Sequence, residues 1–209
     1  FSPGGELSGT VRAVGPEVEG FQVGDKVFSG TVWGAFREVA NVSAHNTFHM
    51  SPSMNFEQAA TFICAYGTAV HCLKDRARLQ TGETVAVLGA AGGVGTAMIQ
   101  VAKAMGARVI ACASTAEKLT QCKTSGADEV INYTKEDLKA RLKALSNDRG
   151  IDVIVDPVGS GFSEQALRAI AWGGRFMVVG LTAGQIAKIP LNLPLLKGLG
   201  DHGISFTEQ

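Results

Sequence analysis

The chain has 209 residues, 45% of them hydrophobic and 18% charged, enough to bury one substantial core or one domain and part of another. Lys plus Arg and Asp plus Glu number 19 each, so no net field gathers nucleic acid or an anionic membrane surface. Apolar runs such as 151–155 and 176–181 are strand-sized and far short of a membrane span, and the four cysteines lack a CxxC pair, which points to reduced thiols in the cytoplasm or the mitochondrial matrix.

In chain order, the first segment is read as alternating at 6–14 and again at 35–42, with a turn into a strand at 23–28 and glycine turns between. It shows no helical period and is expected to be β-rich. Ser51-Pro52-Ser53 punctuates a change of texture, and the boundary is placed there, giving domains 1–53 and 54–209. The stretch 56–73 is small and apolar and suits a helix broken near Tyr66-Gly67. Strands are then expected at Thr84–Leu88, Arg108–Ala113, Glu129–Asn132, 152–156 and 176–180, with helices at 96–105, 116–125, 135–146 and 162–171. Strands separated by helices are βαβ units, so this part is an α/β domain, a doubly wound parallel sheet covered on both faces.

The first of those strands runs into Gly89-Ala90-Ala91-Gly92-Gly93-Val94-Gly95, and an amphipathic helix follows. Read as GxGxxG, the three places fall on Ala90, Gly92 and Gly95, with alanine in the first. Gly92 lets the backbone approach a pyrophosphate, Gly95 lets the helix pack on the strand, and the helix N-terminus offers free N–H groups. Glycine also serves any tight turn, but a strand before and a helix after supply the context of a Rossmann dinucleotide site. About 20 residues on, where NAD sites place a carboxylate for the ribose 2′-OH, this chain has Ala113-Ser114-Thr115-Ala116-Glu117-Lys118. Ser114 can hydrogen-bond a 2′-phosphate and Lys118 can neutralise it, although Lys118 also fits a solvated helix lysine. With the strand-end carboxylate missing, NADPH is the favoured cofactor.

These strings, together with Pro3-Gly4-Gly5-Glu6-Leu7-Ser8-Gly9, Val23-Gly24-Asp25-Lys26-Val27, Gly126-Ala127-Asp128, Asp156-Pro157-Val158-Gly159 and 191–198, resemble the zinc-free medium-chain dehydrogenase/reductases of the quinone oxidoreductase (zeta-crystallin-like) branch. The resemblance runs from Phe1 to about Gly198. It implies part of a β-rich GroES-like domain followed by a Rossmann domain, with the nicotinamide in the cleft between them. It also implies NADPH-dependent hydride transfer to a small quinone or enone-type carbonyl substrate, and a homodimer. By position, Thr68 would contact the nicotinamide ribose or ring. Ala91, Gly92, Gly93 and Val94 would meet the pyrophosphate, and Ser114, Lys118 and Tyr133 the 2′-phosphate. Val158, Gly180 and Leu181 would border the nicotinamide. Tyr133 equally suits a half-buried aromatic at a strand end.

Zinc-dependent relatives carry Gly-His-Glu where this chain has Gly4-Gly5-Glu6, and their four-cysteine lobe is missing, so no metal is expected. His45 and His49 have the spacing of a helical clamp but sit in a loop-to-strand region. No catalytic residue can be named. The chain opens without Met, and 200–209 offers no strand pattern for the sixth sheet position. The expectation is a truncated form with a missing or altered last strand, which binds NADPH weakly, turns over quinones slowly or not at all, and associates through an unpaired edge; a non-catalytic NADPH-binding protein is the alternative.

Overall fold

Two of the expected N-terminal segments become strands β1 (Glu6–Thr10) and β2 (Lys26–Gly30), and a third strand outside them, β3 (Thr47–His49), completes an antiparallel sheet in that order. Val27 and Phe28 turn inward from β2, and the Phe28 ring meets those of Phe48 and Phe62 at 5.6 Å each. In this computed structural model, residues 1–159, 161–184, 186–199 and 204–206 are described. The chain divides into two compact units, Phe1–Gly67 and Thr68–Gln209.

Two expectations for the first unit are corrected. Residues 35–42 form no strand: Ala35-Phe36-Arg37-Glu38-Val39-Ala40 sets apolar and polar residues in twos, which is not the period of a pleat. The N–H groups of Ala35 and Phe36 bond the carbonyls of Gly4 and Pro3, and Phe36 and Val39 stay exposed. The helical stretch breaks at Ala60-Thr61 and not at Tyr66-Gly67. Helix α1 (Phe56–Ala59) opens with a reciprocal capping box between Asn55 and Gln58. At its end the Thr61 hydroxyl bonds back to the carbonyls of Glu57 and Gln58. Helix α2 (Phe62–Val70) runs unbroken through Gly67, held by a Phe62–Tyr66 ring stack at 4.4 Å one turn apart.

In the second unit, five strands are parallel neighbours: β4 (Thr84–Leu88), β5 (Arg108–Ala113), β6 (Glu129–Asn132), β7 (Ile151–Asp156) and β8 (Ile170–Val178). The central strands β4, β5 and β7 carry apolar residues at consecutive buried positions because both faces are covered. The covering helices are α3 (Gly93–Ala104), α4 (Ala116–Thr124), α5 (Leu138–Leu145) and α6 (Gly161–Arg168), with a short α7 (Asn192–Leu196) after β8.

The strand order is β6-β5-β4-β7-β8-β9, where β9 is Ile204–Phe206, paired in parallel with Phe176–Val178. The expectation of a missing sixth strand is therefore corrected. Three residues, Ile-Ser-Phe, are too short a run to stand out by alternation within 200–209, and the rest of that segment, 200–203 and 207–209, lies outside the described residues. This order is a Rossmann sheet whose winding reverses at β4, the topological switch point where such sheets take ligands. No helix among the described residues is long and apolar enough to cross a membrane.

Candidate dinucleotide site

The switch point sets the site. Strand β4 ends in the buried Leu88 and passes into Gly89, whose φ of +57° lies in the left-handed region that suits glycine. A Cβ at Gly89 would also stand 2.6 Å from Val158 Cγ2. The turn glycine of the motif is thus Gly89, not the first motif place at Ala90 read from the sequence. Ala90 N–H donates to the Cys112 carbonyl (3.1 Å) and Gly92 N–H to the Gly89 carbonyl (3.1 Å). Gly92 caps α3 without any side-chain hydrogen bond, and its carbonyl takes the first helical bond, from Thr96 N–H (2.8 Å). The N–H groups of Gly93, Val94 and Gly95 then have no carbonyl four residues back within the helix.

Space in front of the loop matches that donor set. A Cβ at Gly93 would meet nothing within 4 Å, and one at Gly92 only the Gly89 carbonyl oxygen at 3.5 Å. These are positions where a ligand phosphate could come close to backbone N–H groups and the positive end of α3. Gly95 differs, since its Cβ would stand 2.6 Å from the Gly89 carbonyl oxygen and 2.7 Å from Ala90 Cα. It serves packing of helix on loop.

The residues expected at the adenosine end come together beyond β5 and β6. Lys118 Nζ stands 3.5 Å from Ser114 Oγ, one helical turn away. Thr115 caps α4 by accepting from Lys118 N–H, and Glu117 turns toward the Thr115 hydroxyl (3.4 Å). The Thr134 hydroxyl donates to the Ser114 carbonyl (3.1 Å) and to Asn132 Oδ1 (2.7 Å), which ties the ends of the two strands. Tyr133 is half-buried and tilted against Phe162 at 4.5 Å. Burial pushes its phenol pKa up, partly offset by a hydrogen bond with Ser114. The sequence reading missed Gln121, whose Nε2 donates to the Ala91 carbonyl (3.5 Å) and links α4 to the phosphate loop. The signal was available, because Gln121 lies three residues beyond Lys118 on the same helical face.

On the other side of the switch point, β7 ends in Asp156, only 2% exposed. Its Oδ1 accepts from the N–H groups of Val158 (2.9 Å) and Gly159 (2.8 Å), and its Oδ2 from the Ser163 hydroxyl (2.5 Å). Gly180 follows β8 so closely that a Cβ would stand 3.2 Å from the Pro157 carbonyl oxygen. Val158, Gly180 and Leu181 are thereby gathered at the ends of adjacent strands, beside a mainly apolar cavity of about 440 Å³ lined by Asp156, Ser163, Phe176, Val178 and Leu181 among others. Thr68 is half-buried on α2, at the first residue of the second unit.

In the first unit Gly5 carries no side chain, and Glu6 accepts from Cys64 N–H (2.7 Å). His45 lies on a 3-10 turn (Ala44–Asn46) and His49 on β3, where its Nε2 meets the Gly20 carbonyl (2.9 Å) and its ring stacks on Phe21. Among the described residues, no three His, Cys, Asp or Glu side chains cluster around a point that could hold a metal ion.

Two family patterns match the chain: the alcohol dehydrogenase GroES-like domain over residues 1–52 and the zinc-binding dehydrogenase pattern over residues 93–207. The second covers more than half of the sequence. The chain belongs to the medium-chain dehydrogenase/reductase family, in its quinone oxidoreductase branch. It is 37% identical to quinone oxidoreductase-like protein 2 of Bos taurus over 98% of this chain and 59% of that protein. Escherichia coli quinone oxidoreductase, solved with NADPH, is 31% identical at a TM-score of 0.85, over 99% of this chain and 63% of that one. An NAD-dependent alcohol dehydrogenase structure is 30% identical at a TM-score of 0.89, over 98% of this chain and 66% of that one. The chain thus spans about three-fifths of the length of the curated relatives.

Proposed function

We propose that the Thr68–Gln209 unit binds NADPH, and that the protein reduces quinone or enone-type carbonyl compounds without zinc. The observation that carries the cofactor assignment is the grouping of Ser114, Lys118 and Tyr133 past β5 and β6, with no carboxylate at the end of β5. The loop Ala91, Gly92, Gly93 and Val94 would hold the pyrophosphate through backbone N–H groups, and Val158, Gly180 and Leu181 would border the nicotinamide. When bound, the cofactor supplies the hydride. The protein's share is orientation: hydrogen-bond donors for the pyrophosphate and the 2′-phosphate, and an apolar wall beside the ring. The NADPH complex of the E. coli relative agrees with this cofactor.

Zinc-independence rests on the first unit. Gly5 offers no ligand, Glu6 is held by a backbone N–H, and His49 is engaged with Gly20 and Phe21. Metal analysis of the purified protein is expected to give no stoichiometric zinc, and chelators should leave its melting unchanged; one zinc per chain would refute this part. Association through the outer strand β9 belongs to the same reading, since an open strand edge templates pairing, and light scattering tests it.

The cofactor test is calorimetric titration of the 209-residue chain with NADPH and NADH. NADPH is expected to bind more tightly, and Lys118→Ala should weaken NADPH by about 1–3 kcal/mol for a lost charged hydrogen bond while leaving NADH unchanged. Equal affinities in the unmodified chain would overturn the assignment.

A further inference from the structure

Asp156 is a carboxylate almost wholly removed from water, and no cation is among its hydrogen-bond partners. All three of those partners belong to one turn and the helix after it: the N–H groups of Val158 and Gly159, and the Ser163 hydroxyl from the first turn of α6. Such an arrangement locks the backbone after β7, because each backbone donor would otherwise lose a charged acceptor in a dry place. The locked turn carries Val158, and Val158 Cγ2 occupies the space above Gly89 at the start of the phosphate loop. One carboxylate therefore sets the height of a side chain that touches the loop across the switch point.

We propose that Asp156 is a positioning residue of the dinucleotide site: its carboxylate, oriented by Ser163, fixes the Val158–Gly159 turn and, through Val158, the seat of Gly89 in the phosphate loop. The inference rests on the dinucleotide reading above, but its structural half can be tested without any ligand. The carboxylate acts on the pyrophosphate and nicotinamide side. Ser114, Lys118 and Tyr133 lie past β5 and β6, and no hydrogen bond links Asp156 to them among the described residues.

The test uses the 209-residue chain with Asp156→Asn and, in case that change impairs folding, Ser163→Ala. Amide hydrogen exchange is measured at Val158, Gly159 and Gly92, and affinity is measured for NADPH and for 2′-AMP, which carries the 2′-phosphate without pyrophosphate or nicotinamide. Expected are faster exchange at Val158 and Gly159 and an NADPH affinity lower by about tenfold, the scale of a weakened charged hydrogen bond, with 2′-AMP unchanged. A general loss of structure would move both ligands together. Unchanged exchange at Val158 and Gly159 in folded variants overturns the proposal, as does an equal loss of both ligands. If the unmodified chain binds neither ligand while the exchange effect is present, the clamp is real but serves no dinucleotide, and the role in cofactor binding falls with the reading it rests on.

Discussion

Val158 stands where a side chain at Gly89 would have to be, with its Cγ2 2.6 Å from that glycine's ideal Cβ position. Two loops from strands on either side of the winding reversal are thus in contact through a methyl group and a missing side chain. Gly89→Ala meets two obstacles, a φ of +57° and the occupied space. The left-handed backbone costs about 1–2 kcal/mol and the overpacking about 1–3. Chemical denaturation should show a loss of about 2–5 kcal/mol for Gly89→Ala. The double variant with Val158→Ala should cost less than the two single changes added, by about 0.5–3 kcal/mol. Strict additivity would show that the contact is not energetically real.

Gly93 and Gly95 should separate cleanly into ligand and packing roles. At Gly93 a methyl group meets nothing within 4 Å, so Gly93→Ala is expected to leave stability unchanged or to raise it by up to about 1 kcal/mol through helix propensity. The same methyl should obstruct a phosphate and weaken dinucleotide binding. Gly95→Ala drives a methyl into the Gly89 carbonyl and Ala90 Cα, and should cost about 3 kcal/mol in stability. Thermal melting and a binding titration on both variants check the contrast. A Gly93→Ala chain that binds as well as the parent would remove the loop from the site.

The central sheet was legible for a definite reason. Strands β4 and β5 carry continuous apolar runs over 85–88 and 109–113, and the expected limits of β4, β5 and β6 match those observed. Short strands were misjudged in both directions: 35–42 sets its apolar and polar residues in twos and forms no strand, while Ile204–Phe206 pairs yet is too short to show a pattern. The candidate site divides in the same way. Ser114 and Lys118 are neighbours on one turn, so spacing alone places them together. The contacts of Asp156 with Ser163 and of Val158 with Gly89 depend on how turns close through space, which no local period encodes.

Cofactor choice should be reversible at the end of β5. Ser114→Asp would place a carboxylate within reach of Lys118 and beside the space assigned to the 2′-phosphate. Like-charge repulsion at a surface site should weaken NADPH by about 1–3 kcal/mol, while NADH, with a free 2′-OH to be accepted by the new carboxylate, should lose nothing or gain. Fluorescence titration with both cofactors decides this. Parallel losses for NADPH and NADH would mean that Ser114 does not face the 2′-position.

Acid should reveal the ion pair that fastens α3 to the sheet. Burial pushes the Asp128 carboxyl up, but hydrogen bonds from Lys103 Nζ (2.9 and 3.0 Å) and Val109 N–H (2.7 Å), with the charges of Lys103 and Arg108, outweigh it and hold the group below the ordinary carboxylate range. A carboxyl lowered in the folded state adds stability that is fully present above its unfolded pKa, about 3.9, and is lost as pH falls through the folded value. Both partners are 36% exposed, so solvent screening limits the pair to well under about 1 kcal/mol. Lys103→Met should therefore lower the urea midpoint slightly at pH 7, and the gap between the two chains should close as acid carries the pH below the ordinary carboxylate range and protonates Asp128 in the folded state. A gap of the same size at both pH values would mean that Lys103 contributes through its packed stem and not through its charge.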